Sequence, residues 1–195
     1  MRIRELAFGI AAFAAALSSQ ATAQEFDNSS GQGLFGIFDE VRAGAVYPVQ
    51  PNDDSGVTLS GQLYFRAFGE PYQNYWANTL LRPRIHVGGN VATGDDPIHQ
   101  AYVGLTWHFP VYDRLFVEAG FGGTWHDGPL ESPGDGLDLG CHWLFRESIA
   151  VGFNVNQHWR VLASADHSSH ADLCDDGKAG NSGITHAGVY AGYRF

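Results

Sequence analysis

Gln100-Ala101-Tyr102-Val103-Gly104-Leu105-Thr106-Trp107-His108-Phe109-Pro110-Val111 reads at period two. Val103, Leu105, Trp107, Phe109 and Val111 fall on one face of a strand, and Gln100, Tyr102, Gly104, Thr106 and His108 on the other. The next segment repeats the pattern, with Leu115, Val117, Ala119, Phe121 and Trp125 against Glu118, Gly120, Gly122, Thr124 and His126. The C-terminus does so again, with Ala187, Val189, Ala191, Tyr193 and Phe195 against His186, Gly188, Tyr190, Gly192 and Arg194. One face is large and apolar; the other mixes glycine with polar and charged groups. An eight-stranded barrel has an interior just filled by side chains. Turning Trp107, Phe109, Phe121, Trp125, Tyr193 and Phe195 inward would overfill it. A membrane barrel instead places the large apolar face on lipid and the small polar one in its lumen. The pattern therefore predicts an all-β fold, an eight-stranded antiparallel transmembrane β-barrel of the outer-membrane type.

The rest of the chain fits that frame. Eight strands are predicted, roughly over Ile37–Tyr47, Val57–Phe68, Leu80–Ala92, His99–Val111, Leu115–His126, Leu139–Val155, Trp159–Ser169 and Ile184–Phe195. The 25 glycines and 13% aromatic residues suit a turn-rich β protein. Arg2 and Arg4, the apolar run Leu6 to Leu17, and Ala21-Thr22-Ala23 read as a signal peptide over residues 1–23. A polar lead then occupies residues 24–36 and the barrel residues 37–195. Removing Arg2, Arg4 and Glu5 takes the formal charge from −10 to −11, which argues against nucleic acid as a partner. Export to an oxidising compartment favours a Cys141–Cys174 disulfide over two unpaired thiols. With both termini periplasmic, the turns Tyr112–Arg114 and Asn156–His158 are periplasmic. Pro48–Gly56, Asp127–Asp138 and His170–Gly183 are then the longer extracellular loops. Only Gly69–Thr79 is long on the periplasmic side.

The chemistry lies in the seventh strand. Its odd positions run Trp159, Val161, Ala163, Ala165 and then His167 and Ser169. A histidine and a hydroxyl two residues apart on one face are the minimum for a base-activated nucleophile. Ten residues beyond Trp159, Ser169 stands roughly 25 Å higher, at the outer boundary of the bilayer. There it faces the sugar–acyl junction of lipopolysaccharide, whose chemistry is that of esters. Ser164 and Ser168 have lumen parity and are not the nucleophile.

The segment Asp138 to Phe195 resembles the PagL family of outer-membrane lipid A deacylases. Leu144-Phe145-Arg146-Glu147-Ser148, Asp166-His167-Ser168-Ser169 with Leu173-Cys174-Asp175, and Gly188 to Phe195 carry the resemblance. Arg114-Leu115-Phe116-Val117-Glu118 and Gly122-Gly123-Thr124-Trp125-His126-Asp127-Gly128 add to it. The resemblance implies a single-chain barrel that removes an ester-linked 3-hydroxyacyl chain from lipid A, without a cofactor or metal. It also implies an exterior Ser-His-acid site, with His167 as general base and Ser169 as nucleophile. Two positions depart from the family pattern. Where the family has an oxyanion-stabilising Asn, this chain has His170, which leaves that role to His170 or to backbone N–H groups. Where the family has an acid early in the last strand, Asn181-Ser182-Gly183-Ile184 leads to Thr185.

A substitute acid is available in the sixth strand. Pairing Val155 with Trp159 makes opposed residue numbers sum to 314, which sets Glu147 opposite His167 on the lipid face. Glu147 is then the expected orienting carboxylate, and Cys141 falls opposite residue 173, next to Cys174. The implied partners are lipid A of lipopolysaccharide and the outer membrane, with a homodimer as the alternative to a monomer. The competing reading is a non-enzymatic small barrel with a structural or adhesive role. Among other groups, His108, His126, His142 and His186 share lumen parity and are either ordinary polar lining or metal ligands. Asp172, Asp175 and Asp176 form a solvated acidic loop or a cation site. Glu118, Arg66, Arg84 and Arg194 are expected to pair in the lumen.

Overall fold

The computed structural model describes residues 34–50, 56–131, 136–174 and 180–195. The predicted signal peptide, most of the N-terminal lead, and Asp175 and Asp176 lie outside the described residues. A single 3-10 turn, Leu34–Ile37, precedes β1 (Phe38–Pro48). It is followed by β2 (Thr58–Phe65), α1 (Tyr75–Leu81), β3 (Arg84–Ala92), β4 (Gln100–Tyr112) and β5 (Leu115–His126). The chain ends with β6 (Trp143–Asn154), β7 (Trp159–Ser169) and β8 (Ile184–Arg194). Each strand pairs antiparallel with the next, and β1 pairs with β8, closing an eight-stranded barrel.

Polarity is inverted relative to a water-soluble barrel. Val103, Leu105, Phe121, Trp125, Val151, Val161 and Val189 are exposed, whereas Gln62, Tyr102, Thr106, Glu118, Arg146 and Asp166 are buried. Such an exterior is stable only in lipid, and a closed sheet leaves no backbone edge unpaired there. Inward rings need room, which glycines on neighbouring strands supply. A Cβ on Gly152 would stand 2.1 Å from Phe116 Cζ, and one on Gly88 would stand 2.5 Å from Tyr102 Cε2.

The lumen is filled by ion pairs. Glu118 accepts from Arg42 at 2.7 Å and from Arg84 at 2.6 Å. Glu40 joins Arg42 at 2.6 Å, Arg84 at 2.9 Å and Arg160 at 3.2 Å. Arg84 also meets Asp39, and Arg194 reaches the same carboxylate at 3.9 Å. Closer to the loop end, Arg146 pairs with Asp166 at 3.1 Å and lies over the Tyr102 ring at 4.1 Å. A void of ≈ 30 Å³ bordered by Arg42, Tyr64, Glu118 and Arg146 has space for about one water. Glu118, Arg84 and Arg194 pair as the sequence predicts. Among the described residues Arg66 forms no ion pair; its Nε donates to the Phe38 carbonyl at 3.3 Å.

The second strand ends at Phe65 rather than Phe68, and two predicted strand starts move further. The third strand starts at Arg84 rather than Leu80, because the long connection carries α1. Asn74 caps that helix by accepting from Ala77 N at 3.0 Å, and Pro83 follows its end. Trp107 Nε1 donates to the Leu80 carbonyl at 2.9 Å and docks the helix on the outer face of β4. The sixth strand starts at Trp143 rather than Leu139. Leu137 and Leu139 turn inward instead and pack with Ile98, Leu144 and Ile184 to cap the loop end. At the opposite end Asn156 Oδ1 accepts from His158 N at 2.9 Å and Trp159 N at 2.8 Å, which tightens the β6–β7 turn.

Candidate active site

The short Asn156 turn fixes the β6–β7 register, and Glu147 pairs with His167 as the sum of 314 requires. One lateral row then crosses four strands: Phe121 on β5, Glu147 on β6, His167 on β7 and Thr185 on β8. The row above it joins Gly123, Phe145 and Ser169. Both rows lie on the apolar exterior at the loop end. Phe121, Phe145, Glu147, His167, Ser169 and Ala171 line a groove of ≈ 250 Å³ that opens outward. The Phe121 and Phe145 rings stack with centroids 6.1 Å apart and form its apolar wall. Next to the groove, the Cys141–Cys174 disulfide forms as predicted and ties the loop after β7 to the approach to β6.

Parity decides what each side chain of this stretch meets. His167 and Glu147 are exposed on the outer face and Ser169 is half-buried, whereas Ser168 is 0% exposed. His170 is an oxyanion candidate by sequence, but the structure sets it apart from the groove. Its even number turns it inward, where it is 1% exposed and its Nε2 lies 3.3 Å from the Gly180 carbonyl. Asp166 also points inward, to Arg146 and to His186 Nδ1 at 3.5 Å.

The expected contact between Glu147 and the imidazole is made by another residue. His167 Nδ1 lies 2.8 Å from Thr185 Oγ1, and among the described residues no hydrogen bond joins Glu147 to His167. The carboxylate remains a cross-strand neighbour. Nor is His167 hydrogen-bonded to Ser169 among the described residues. Such pairs are often long in a substrate-free site and close in the complex. Gly183, in the left-handed region at φ 68°, lies against the ring, and a Cβ there would stand 2.7 Å from His167 Cε1.

The four lumen-parity histidines do not gather at one point, although the His126 and His142 rings pack with centroids 5.7 Å apart. His108 meets Glu118 at 3.0 Å, His126 the Cys141 carbonyl at 2.8 Å and His142 the His126 carbonyl at 2.9 Å. His142 is itself exposed, just before β6. Among the described residues no group of three or more His, Cys, Asp or Glu is placed to hold a metal ion.

A serine hydroxyl and an imidazole sharing a lipid-facing groove are the groups that the family resemblance leads one to expect on the exterior. The sequence profile of the lipid A 3-O-deacylase (PagL) family matches residues 39–194, which is the whole barrel. The chain belongs to the PagL family. It is accordingly an ester hydrolase of the Gram-negative outer membrane. The fold is similar to the crystal structure of the outer membrane enzyme PagL, with a TM-score of 0.57 and 20% identity over 78% of this chain and 97% of that one. The N-terminal β-barrel domain of Pseudomonas aeruginosa OprF superposes with a TM-score of 0.54 at 10% identity, covering 82% of this chain and 98% of that domain. No curated protein matches the chain by sequence. At these identities the two structures speak for the barrel, and the PagL profile speaks for the family.

Proposed function

We propose that this barrel removes one ester-linked 3-hydroxyacyl chain from lipid A at the outer-leaflet boundary, with Ser169 as nucleophile and His167 as general base. The observation that carries this reading is the groove itself. It sets a hydroxyl and an imidazole beside stacked phenylalanines on a surface that otherwise only lipid tails would touch. An acyl chain lying along Phe121 and Phe145 brings its ester carbonyl toward Ser169 without leaving the membrane.

Ser169 Oγ attacks that carbonyl while His167 Nε2 accepts its proton. The tetrahedral intermediate collapses, the sugar oxygen leaves with the proton returned by His167, and the acyl group remains on Ser169. Water, activated by the same imidazole, then releases the 3-hydroxy fatty acid and restores the serine. With His170 turned inward, the oxyanion falls to backbone N–H groups past the nucleophile. There Ala171 and Asp172 hold left-handed φ values of 50° and 62°, a backbone geometry that costs energy and recurs at active sites.

Glu147 adds negative charge beside the imidazolium that forms during reaction, without orienting the ring. Glu147→Gln is therefore expected to slow turnover by about tenfold, because a nearby charge without a hydrogen bond contributes little at an exposed site. Steady-state kinetics on lipid A in mixed micelles reads this directly. A loss on the order of 10⁴-fold, as for an orienting carboxylate, would return Glu147 to that role.

The function is tested by mass spectrometry of lipid A from a host that lacks the activity and expresses this chain. Loss of one 3-hydroxyacyl mass is the expected outcome. Unchanged lipid A beside folded barrel in the outer membrane would favour a structural or adhesive role.

A further inference from the structure

We propose that Thr185 is the residue that positions the His167 imidazole, and that Gln50 holds Thr185 in place for that task. The inference rests on His167 acting as the base, as read above. If Nε2 is to take the Ser169 proton, Nδ1 must carry the other one and needs an acceptor that fixes the tautomer and the ring plane. Thr185 Oγ1, 2.8 Å from Nδ1 and the neighbour of His167 on β8, is that acceptor.

A threonine at a strand end would be a poor anchor without support. The support comes from across the β1–β8 closure. The ladder between these strands runs to Pro48 and His186, and Val49 N then donates to the Thr185 carbonyl at 3.0 Å. Beyond that point the side-chain amide of Gln50 takes over from backbone. Its Oε1 accepts from Thr185 N at 2.5 Å and its Nε2 donates to the Gly183 carbonyl at 2.8 Å. One amide thus brackets residues 183 to 185 as a paired strand would. Within that bracket Gly183 lies flat against His167, where a Cβ at φ 68° would strike the ring. Two contacts fix the imidazole, Thr185 at Nδ1 and Gly183 on its flank, and Gln50 holds both of these residues from behind. This is an uncharged positioning device, in contrast to a carboxylate.

The full-length protein, folded in detergent micelles with lipid A, tests the proposal through Thr185→Val, Thr185→Ser, Gln50→Leu and the Val/Leu double variant. A hydrogen bond that strengthens when the imidazole becomes charged predicts a fall in kcat of roughly 10–100-fold for Thr185→Val, with KM little changed. Thr185→Ser, which keeps the hydroxyl, should stay within about threefold of wild type. Gln50→Leu should fall between the two, and the double variant should be no worse than Thr185→Val, since both changes cut one pathway. The ¹⁵N shifts of His167 supply a second reading: the Nδ1–H tautomer should dominate in wild type and Thr185→Ser and be lost in Thr185→Val. Wild-type kcat and tautomer in Thr185→Val, or a Thr185→Ser as impaired as Thr185→Val, would overturn the proposal. If His167→Ala is inactive while Thr185→Val is not, only the role of Thr185 falls. If His167→Ala and Ser169→Ala both keep turnover, the reading of the site falls with it.

Discussion

Ser169→Ala is expected to reduce lipid A deacylation on the order of 10⁴–10⁶-fold, with His167→Ala close behind. The two losses should not add, because in the proposed mechanism base and nucleophile act in one step and either deletion leaves only binding and oxyanion contacts. Assembly should be untouched. Ser169 and His167 sit on the outer face and fill no core, so their truncation opens no cavity. Ser168→Ala is the internal control. Ser168 is the chain neighbour of both residues, yet it is 0% exposed and faces the lumen, so its loss should leave turnover near wild type. Product release followed by mass spectrometry, beside a gel-shift assay of barrel folding, separates chemistry from assembly. Equal effects of Ser168→Ala and Ser169→Ala would contradict the assignment of faces.

Glu118→Ala should have the largest effect on the barrel itself. Glu118 is 3% exposed and holds Arg42 and Arg84 while also meeting His108. Arg160 comes within 3.7 Å of the same carboxylate. Removing it leaves two guanidinium groups in the lumen with Glu40 as their chief remaining counter-charge. Breaking one side of a buried ion pair costs about 3–5 kcal/mol, because the surviving charge stays desolvated and uncompensated. That is a large share of the stability of a typical folded domain, roughly 5–15 kcal/mol. A marked fall in the denaturant midpoint of refolded barrel is therefore expected. Glu118→Gln should fall less far, since its amide oxygen can still accept a hydrogen bond. A midpoint unchanged in Glu118→Ala would mean that the lumen ions are solvated rather than paired.

The barrel was legible because strand parity carries so much information. Once Val103, Leu105 and Trp107 read as one face, the same period placed Ser168 inside and Ser169 outside. The β6–β7 register was equally legible: the turn at Asn156 is short, and a short turn leaves one register. That single constraint set Glu147 opposite His167 and brought Cys141 near Cys174. The same parity turns His170, read from the sequence as an oxyanion candidate, to the inside of the barrel.

The β7–β8 neighbour of His167 could not be read in the same way. The two strands lie too far apart in sequence for their connection to dictate register, so the approach of Thr185 depends on closure of the whole sheet. Gln50 is more remote still, because β1 and β8 meet only when the barrel closes. The pairs that Glu40 and Arg42 make with Arg84, Glu118 and Arg160 were hidden because they cross the lumen between strands that are not neighbours in the sheet. Helix α1 and the inward turn of Leu139 share a different cause. Both lie in connections where local capping and burial at the barrel ends outweigh strand periodicity.

The central claim is that the nucleophile stands on the lipid face of β7, and covalent trapping tests it most directly. Folded protein in micelles would be treated with a long-chain alkyl fluorophosphonate, which phosphonylates activated serines, and the adduct located by peptide mass spectrometry. One adduct is expected, on Ser169, absent in His167→Ala and suppressed by lipid A. An adduct on Ser168 or another serine, or equal labelling of Ser169 with His167 removed, would contradict it.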